Sequence, residues 1–327
     1  MTDTLFPFLV SAIQIGQALC ASAHVVLFKR DVRAAIGWIA VIWFVPFGGT
    51  VLYLLFGINR IARRARREMA RRDVARRPSS SAEPRLARGE SDPLFLPTHD
   101  PRMAAFASLA RLVGHISDLP ALPGNSIEIL PSGAVAYRSM LDAIDGARES
   151  VGLMTYIFDN DGVGLAFADA LIRAERRGCR VRVLIDGVGA RYSYPSITGY
   201  LQRAGVSVAE FLPGWYPMFI AYANLRNHRK ALVVDGEIAF TGGMNIRAGH
   251  ARDHPPESVI LDQHFRLTGS VVAQIVDVFA DDWAFCTGEI LSGNAWFGTT
   301  SATGGIVARA IAAAPDEAFE RIRWTLL

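Results

Sequence analysis

The sequence predicts an α/β domain, a sheet flanked by helices, preceded by two transmembrane helices. Three observations carry this. From residue 125 onward, short apolar runs of strand length alternate with stretches of helical periodicity. Two stretches of 25 residues near the amino terminus hold no Asp, Glu, Lys or Arg. Between these regions lies an arginine-dense tract followed by a Pro/Ser-rich one. The chain divides accordingly into a transmembrane hairpin (1–60), a basic juxtamembrane arm with its linker (61–101), and the α/β domain (102–327).

The uncharged stretches are residues 4–28 and 34–58. At a rise of about 1.5 Å per residue, each is long enough to cross a hydrocarbon core of about 30 Å with some tilt. A secretory signal does not account for the first, whose uncharged run is too long and whose start carries Asp3 in place of basic residues. Trp38, Trp43 and Tyr53 add the aromatics that favour membrane interfaces. The KRDVR segment between the two stretches has three basic residues, and nine arginines stand between Arg60 and Arg77. The positive-inside rule then puts the amino terminus and the large domain in the cytoplasm, although a loop with three cations is a poor one to translocate.

The formal net charge is +3; residues 1–77 hold 12 basic and 4 acidic groups, a net of +8, which leaves −5 for everything after them. The basicity is therefore local, suited to anionic lipid headgroups at about 1 kcal/mol per cation. Nucleic acid is the weaker partner for this arm, because the tract follows an apolar span directly and the body of the protein is slightly acidic. Cys20, Cys179 and Cys286 are scattered in no disulfide-like or metal-like spacing.

Residues 78–101 are rich in Pro, Ser and charge and form a tether, and a short apolar helix is expected over Met103–Val113. SIEIL (126–130) is a strand, and AVAYRSMLDAIDGA (134–147) has apolar residues at helical spacing. SVGLMTYIF (150–158) is a strand-forming run, GLAFADALIRAERRG a helix closed by Gly178, and CRVRVLIDG a buried strand. SITGYLQRAG is a helix and VSVAEFL a strand, and ALVVD and EIAFTGG are strands around a turn at Gly236. This alternation argues a largely parallel sheet covered on both faces, with functional groups gathered where strands end.

Residues 227–243, NHRKALVVDGEIAFTGG, concentrate the chemistry. Of 34 basic residues only Lys29 and Lys230 are lysines. An ammonium is a compact point charge where guanidinium is a broad fork, so a tight site gripping one phosphoryl oxygen can demand lysine. His228 and Lys230, two apart at the entry to a strand, point to one face. Histidine can serve as a nucleophile once its tautomer is fixed, Lys230 can neutralise charge on phosphoryl oxygens, Asn245 can donate to them, and Gly242 and Gly243 let backbone approach closely.

His228, Lys230 and Asp235 fit H-x-K-x4-D, and Gly242, Gly243 and Asn245 fit the G-[GS]-x-N tail that follows it. With these residues and flanks such as SGAVAYRSMLDAIDGARESVGLMTYIFDND and WFVPFGGTVLYLLFG, the chain resembles the phospholipase D superfamily, in particular its bacterial cardiolipin synthase branch. The resemblance implies a mixed sheet, an inner-membrane phosphatidyltransferase acting on phosphatidylglycerol through a phosphohistidine on His228, and no metal or other cofactor. It makes His228, Lys230, Asp235, Asn245 and Asp262 the candidate catalytic residues, and Gly242 and Gly243 those of substrate binding. Within that set it implies that Asp262 orients the imidazole and that Asp235 is structural. Family members carry the motif twice; here Lys29 has Leu27, not histidine, two residues before it. A missing second half, a homodimer that pairs two copies of the motif, and a non-catalytic lipid-binding module are the readings this leaves; a membrane-anchored nuclease is a further one, which the acidic domain argues against. His250 and His254 are four apart, but Pro255 and Pro256 end any helix there and no third ligand stands out. PGWYPMF (213–219) could be a lip at the bilayer.

Overall fold

A computed structural model describes residues 2–29, 32–58, 119–213, 226–251, 260–298 and 301–312. The basic arm, most of the linker, the expected Met103–Val113 helix and nearly all of PGWYPMF lie outside the described residues, as does His254. The chain forms two units, the amino-terminal helices and the large domain.

In the amino-terminal unit α1 spans Thr2–Phe28, and within it Phe6–Phe28 is long and apolar enough to cross a membrane. The second uncharged stretch departs from the expected single span. It consists of α2 (Val32–Phe44), a break at Val45–Phe47, and α3 (Gly48–Leu52), which runs on into a π turn over Tyr53–Gly57. The break has a local cause: Pro46 has no N–H to give the helix, and Phe47 sits at φ 56°. Gly49 then lies so close to α2 that a Cβ there would overlap the Val41 carbonyl. Ala18, Ala21, Val25, Ile42 and Tyr53 form a small core within this unit. Its outer faces are apolar and exposed, with Phe6, Phe8, Ile13, Val26 and Phe44 among them.

The large domain is one eight-stranded sheet. Its elements in chain order are β1 (Leu122–Leu130), α4 (Gly133–Gly146), β2 (Ser150–Thr155), α5 (Gly162–Arg176), β3 (Arg180–Asp186), α6 (Ile197–Arg203), β4 (Ser207–Phe211), β5 (Ala231–Val234), β6 (Ile238–Gly242), β7 (His264–Thr268), α7 (Val271–Thr287) and β8 (Ile306–Ala308). The strand order is β4-β3-β2-β5-β6-β7-β1-β8. β2, β3 and β4 pair parallel, each joined to the next by a helix, whereas β5 runs antiparallel to β2 and every later pairing is antiparallel. The sheet is therefore mixed and not largely parallel. The βαβ alternation that argues for parallel pairing stops at β4, and beyond it the short turn at Gly236 can only reverse the chain.

Every residue of β2 is buried, as befits a central strand covered on both faces. Val151 and Leu153 face a core shared with Ala136 and Met140 of α4, Phe167 and Leu171 of α5, and Leu201 of α6. Gly152 faces the other way, where a Cβ would come within 2.6 Å of Phe279 of α7. Asp161 caps α5 by accepting from Gly164 N at 2.9 Å, and Gly178, at φ 95°, ends that helix.

Candidate active site

The pairing registers gather one end of the sheet into a site. Met154, near the carboxyl end of β2, pairs with Ala231 at the start of β5; Ala231 pairs with Thr241 near the end of β6; and Gly242 pairs with His264 at the start of β7. Residues just before β5, just after β6 and just before β7 therefore meet beyond the ends of β2 and β3. His228 and Lys230, Gly243 and Asn245, and Asp262 are those residues.

His228 is exposed at its rim, and its ring stacks on Tyr156, which follows β2, with centroids 4.2 Å apart and planes inclined by 15°. The Lys230 ammonium stands 5.6 Å from the centre of the same ring and donates to the His228 carbonyl at 2.7 Å. Alternation explains both this pair and Arg229 between them, which turns the other way to meet Asp282 of α7 at 2.6 Å. Desolvation, and then the charge of Lys230, hold the His228 imidazole below its ordinary pKa, with Asp186 opposing. Desolvation also lowers Lys230, while Asp262 and Asp186 pull it upward.

The strand entry is held by groups from three elements. Asp186, at the end of β3 and 1% exposed, accepts from Asn227 N at 3.0 Å and from Val188 N at 2.9 Å. Burial raises its pKa and those backbone bonds restrain the rise. Asn227 donates to Asp282 at 2.9 Å and accepts from Arg229 N at 3.0 Å. Opposite, Asn245 accepts from Ile157 N at 3.1 Å through Oδ1, so what it can offer a ligand is its amide N–H groups. The loops after β2 and β6 are tied there by Ile246 N to Ile157 O at 3.1 Å and Asp159 N to Ile246 O at 3.0 Å.

Residues 140–283 match the family described as "Cardiolipin synthase, PLD-like domain", and residues 19–57 match "Phospholipase_D-nuclease N-terminal". The chain carries a PLD-like domain of the cardiolipin synthase kind. It is 30% identical over 295 residues to cardiolipin synthase A of Pseudomonas putida (strain GB-1), covering 87% of this chain and 58% of that protein. It is 30% identical over 293 residues to cardiolipin synthase A of Pseudomonas aeruginosa (strain LESB58), covering 88% and 57%. The chain thus spans under three fifths of the length of these curated relatives. Among solved structures it resembles a phospholipase D family member, Nuc from Salmonella typhimurium, with a TM-score of 0.37 and 19% identity over 58% of this chain and all 100% of that one.

Within the phospholipase D-like domain the predicted site residues separate into two groups. His228, Lys230, Gly242, Gly243, Asn245 and Asp262 converge at the strand ends. Asp235 does not: it closes β5 at the far end from His228, in the left-handed region at φ 53°. There its carboxylate accepts from Arg148 N at 3.0 Å, Glu149 N at 2.8 Å and Ser150 N at 2.9 Å, tying β5 to the start of β2. Asp262 lies against the Gly243 backbone, where any Cβ would overlap its carboxylate, and it accepts from Gln263 N at 2.7 Å. Among the described residues no hydrogen bond joins Asp262 to His228, and the carboxylate whose charge acts on His228 is Asp186. Asp262 acts instead on Lys230 and on two buried imidazoles.

Those imidazoles, His250 at 4% exposure and His264 at 1%, are residues that sequence reasoning passed over as site members. His264 sits behind Gly242, and among the described residues neither of its ring nitrogens has a hydrogen-bond partner. Burial pushes it down to about 4, so it is neutral at neutral pH. His250 accepts from Asn245 N through Nε2 at 3.4 Å, and burial lowers it as well. Tyr156, Asp186, Asn227 and Asp282 also escaped notice. The first two had a signal, since each stands at the end of an apolar run expected to be a strand.

Proposed function

We propose that the chain supplies a catalytic half of a cardiolipin synthase-like phosphatidyltransferase, with His228 as nucleophile. The observation that supports this best is the placing of His228 and Lys230 on one aromatic platform, an imidazole biased toward its neutral form beside an ammonium.

A ring nitrogen of His228 attacks the phosphorus of phosphatidylglycerol, the phosphorus–oxygen bond to the glycerol headgroup breaks, and a phosphatidyl-histidine forms. Lys230 and the Asn245 amide offset charge on the non-bridging oxygens. The hydroxyl of a second phosphatidylglycerol then attacks phosphorus, losing its proton to the group that protonated the departing glycerol, which gives cardiolipin and frees the imidazole. The departing glycerol oxygen needs a proton. Among the described residues His250 and His264 are buried, with pKa values lowered, so a second motif histidine, from another copy or another domain, is the source this reading expects. The large domain and its substrate meet at the membrane to which the apolar helices attach it.

The test is lipid product analysis in membranes containing the active assembly. His228→Ala should abolish cardiolipin formation and acid-labile phosphate labelling of this chain, with Lys230→Met lowering turnover by about 10²-fold or more. Synthesis and labelling that persist in His228→Ala overturn the reading.

A further inference from the structure

A helix that crosses a bilayer carries its two ends to opposite faces, and distance along it is fixed at about 1.5 Å per residue. Tyr53 lies 21 residues beyond Val32. As one straight helix the second apolar stretch would hold Tyr53 about 30 Å from its start at Val32. His24, four residues before Phe28, lies only about 6 Å from the end of α1 that leads into that start. Yet the Tyr53 hydroxyl and His24 Nδ1 are hydrogen-bonded at 2.7 Å. The Tyr53 ring also packs edge-on against Trp38, with centroids 5.6 Å apart, where a straight helix would separate the two residues by about 22 Å. The chain must therefore double back between them. The turn is the break at Val45–Phe47, and the contact of Gly49 with the Val41 carbonyl is its inner corner. Tyr53 is four residues from the end of the π turn and His24 four from the end of α1, so the two sit at equal depth from their ends.

We propose that residues 32–57 form a re-entrant helical hairpin, with α2 entering the bilayer and α3 and the π turn leaving by the same face. α1 is then the crossing helix of this unit. The 13 residues of α2 reach about 20 Å, short of a hydrocarbon core of about 30 Å, so the turn lies within the membrane. Hydrocarbon covers the exposed Phe6, Phe8, Val26, Ile36 and Phe44, while the His24–Tyr53 and Trp43–Ser22 hydrogen bonds, the latter at 3.0 Å, pair four of the unit's polar side chains. This inference is independent of the catalytic reading.

The charge pattern agrees. With two crossings, Lys29, Arg30 and Arg33 sit opposite the nine arginines of residues 60–77. With a re-entrant hairpin all twelve cations share one face, and the residues that precede them, 1–28, hold no Lys or Arg and a single Asp3. The positive-inside rule is then obeyed without exception, and it puts the amino terminus outside and the large domain inside.

The sequence suits a direct test on the unmodified protein, since its side-chain amines are Lys29 and Lys230 alone. Sealed right-side-out and inverted vesicles are treated with a membrane-impermeant amine reagent and the modified peptides are mapped by mass spectrometry. Lys29 and Lys230 should react from one side and the α-amine from the other, each with a bias of about 10-fold or more. Lys29 reacting from the side opposite Lys230 overturns the proposal, as does reaction of all three amines from one side. Should Lys230 prove slow, the same sides are read from single cysteines at Thr2, Asp31 and Ser79. These are placed in a Cys20→Ser, Cys286→Ser background that keeps the buried Cys179. Asp31→Cys and Ser79→Cys must share a side that Thr2→Cys does not.

Discussion

His228 gains its character from three neighbours of different kinds. Tyr156 removes water from one face of the ring, Lys230 adds positive charge nearby, and the buried Asp186 carboxylate partly cancels that charge. The sign follows directly: desolvation and a cation both penalise imidazolium, so the neutral, nucleophilic form persists to lower pH than in water. Only the neutral ring can attack phosphorus. The acid limb of the rate profile for phosphohistidine formation should therefore have its midpoint below 6.5 and fall as pH drops through it. Asp186→Asn keeps an oxygen for Asn227 N while removing the opposing charge, and should move that midpoint further down. Single-turnover rates measured from pH 5 to 8 check both, and a midpoint that rises in the variant would contradict the assignment.

At the scale of elements, β5 works as a rod with chemistry at one end and an anchor at the other. Asp235 lies in the motif by sequence spacing yet bonds three successive backbone N–H groups at the start of β2. Asp235→Ala leaves those donors without a carboxylate and should lower stability by about 2 to 4 kcal/mol, partly tempered because Arg148 and Glu149 are exposed to water. Denaturant midpoints read that loss, while the folded fraction should retain phosphohistidine formation, which His228→Ala abolishes. Sequence alone showed the strands from SIEIL to EIAFTGG, because their apolar alternation and bounding glycines are local signals. It did not show the direction of β5 or the pairing of β6 with β7, since register depends on which edges meet and not on any one run. The site divided the same way. His228, Lys230 and Asn245 were legible from spacing, whereas Asp186 as their support and His264 behind Gly242 depend on strands far apart in the chain. LDQHF drew attention to Asp262, and the imidazole two residues later, fully buried, carried no mark of its burial. The break at Pro46 was visible as a proline followed by Phe-Gly-Gly, but hydropathy averaged over 25 uncharged residues hid it.

The whole molecule is organised by charge and by one turn. Nine arginines after the apolar unit and three cations about the start of α2 cannot all be satisfied by two crossings, and the turn at Val45–Phe47 resolves the conflict. Removing the turn should expose it again. Pro46→Leu with Gly49→Leu restores a helix N–H, supplies residues of high helix propensity, and puts side chains where Gly49 now touches the Val41 carbonyl. Residues 32–57 are then driven toward a single straight span. Because a segment with nine arginines resists translocation more than one with three cations, the large domain should stay on its original side. The other end of the unit must move instead. In the double variant the α-amine should become reactive from the side of Lys230, and Lys29 from the opposite side, so two amines exchange faces while the third does not. The same vesicle labelling reads this directly, and an unchanged pattern in a variant that still inserts would show that the fold-back does not depend on Pro46 and Gly49.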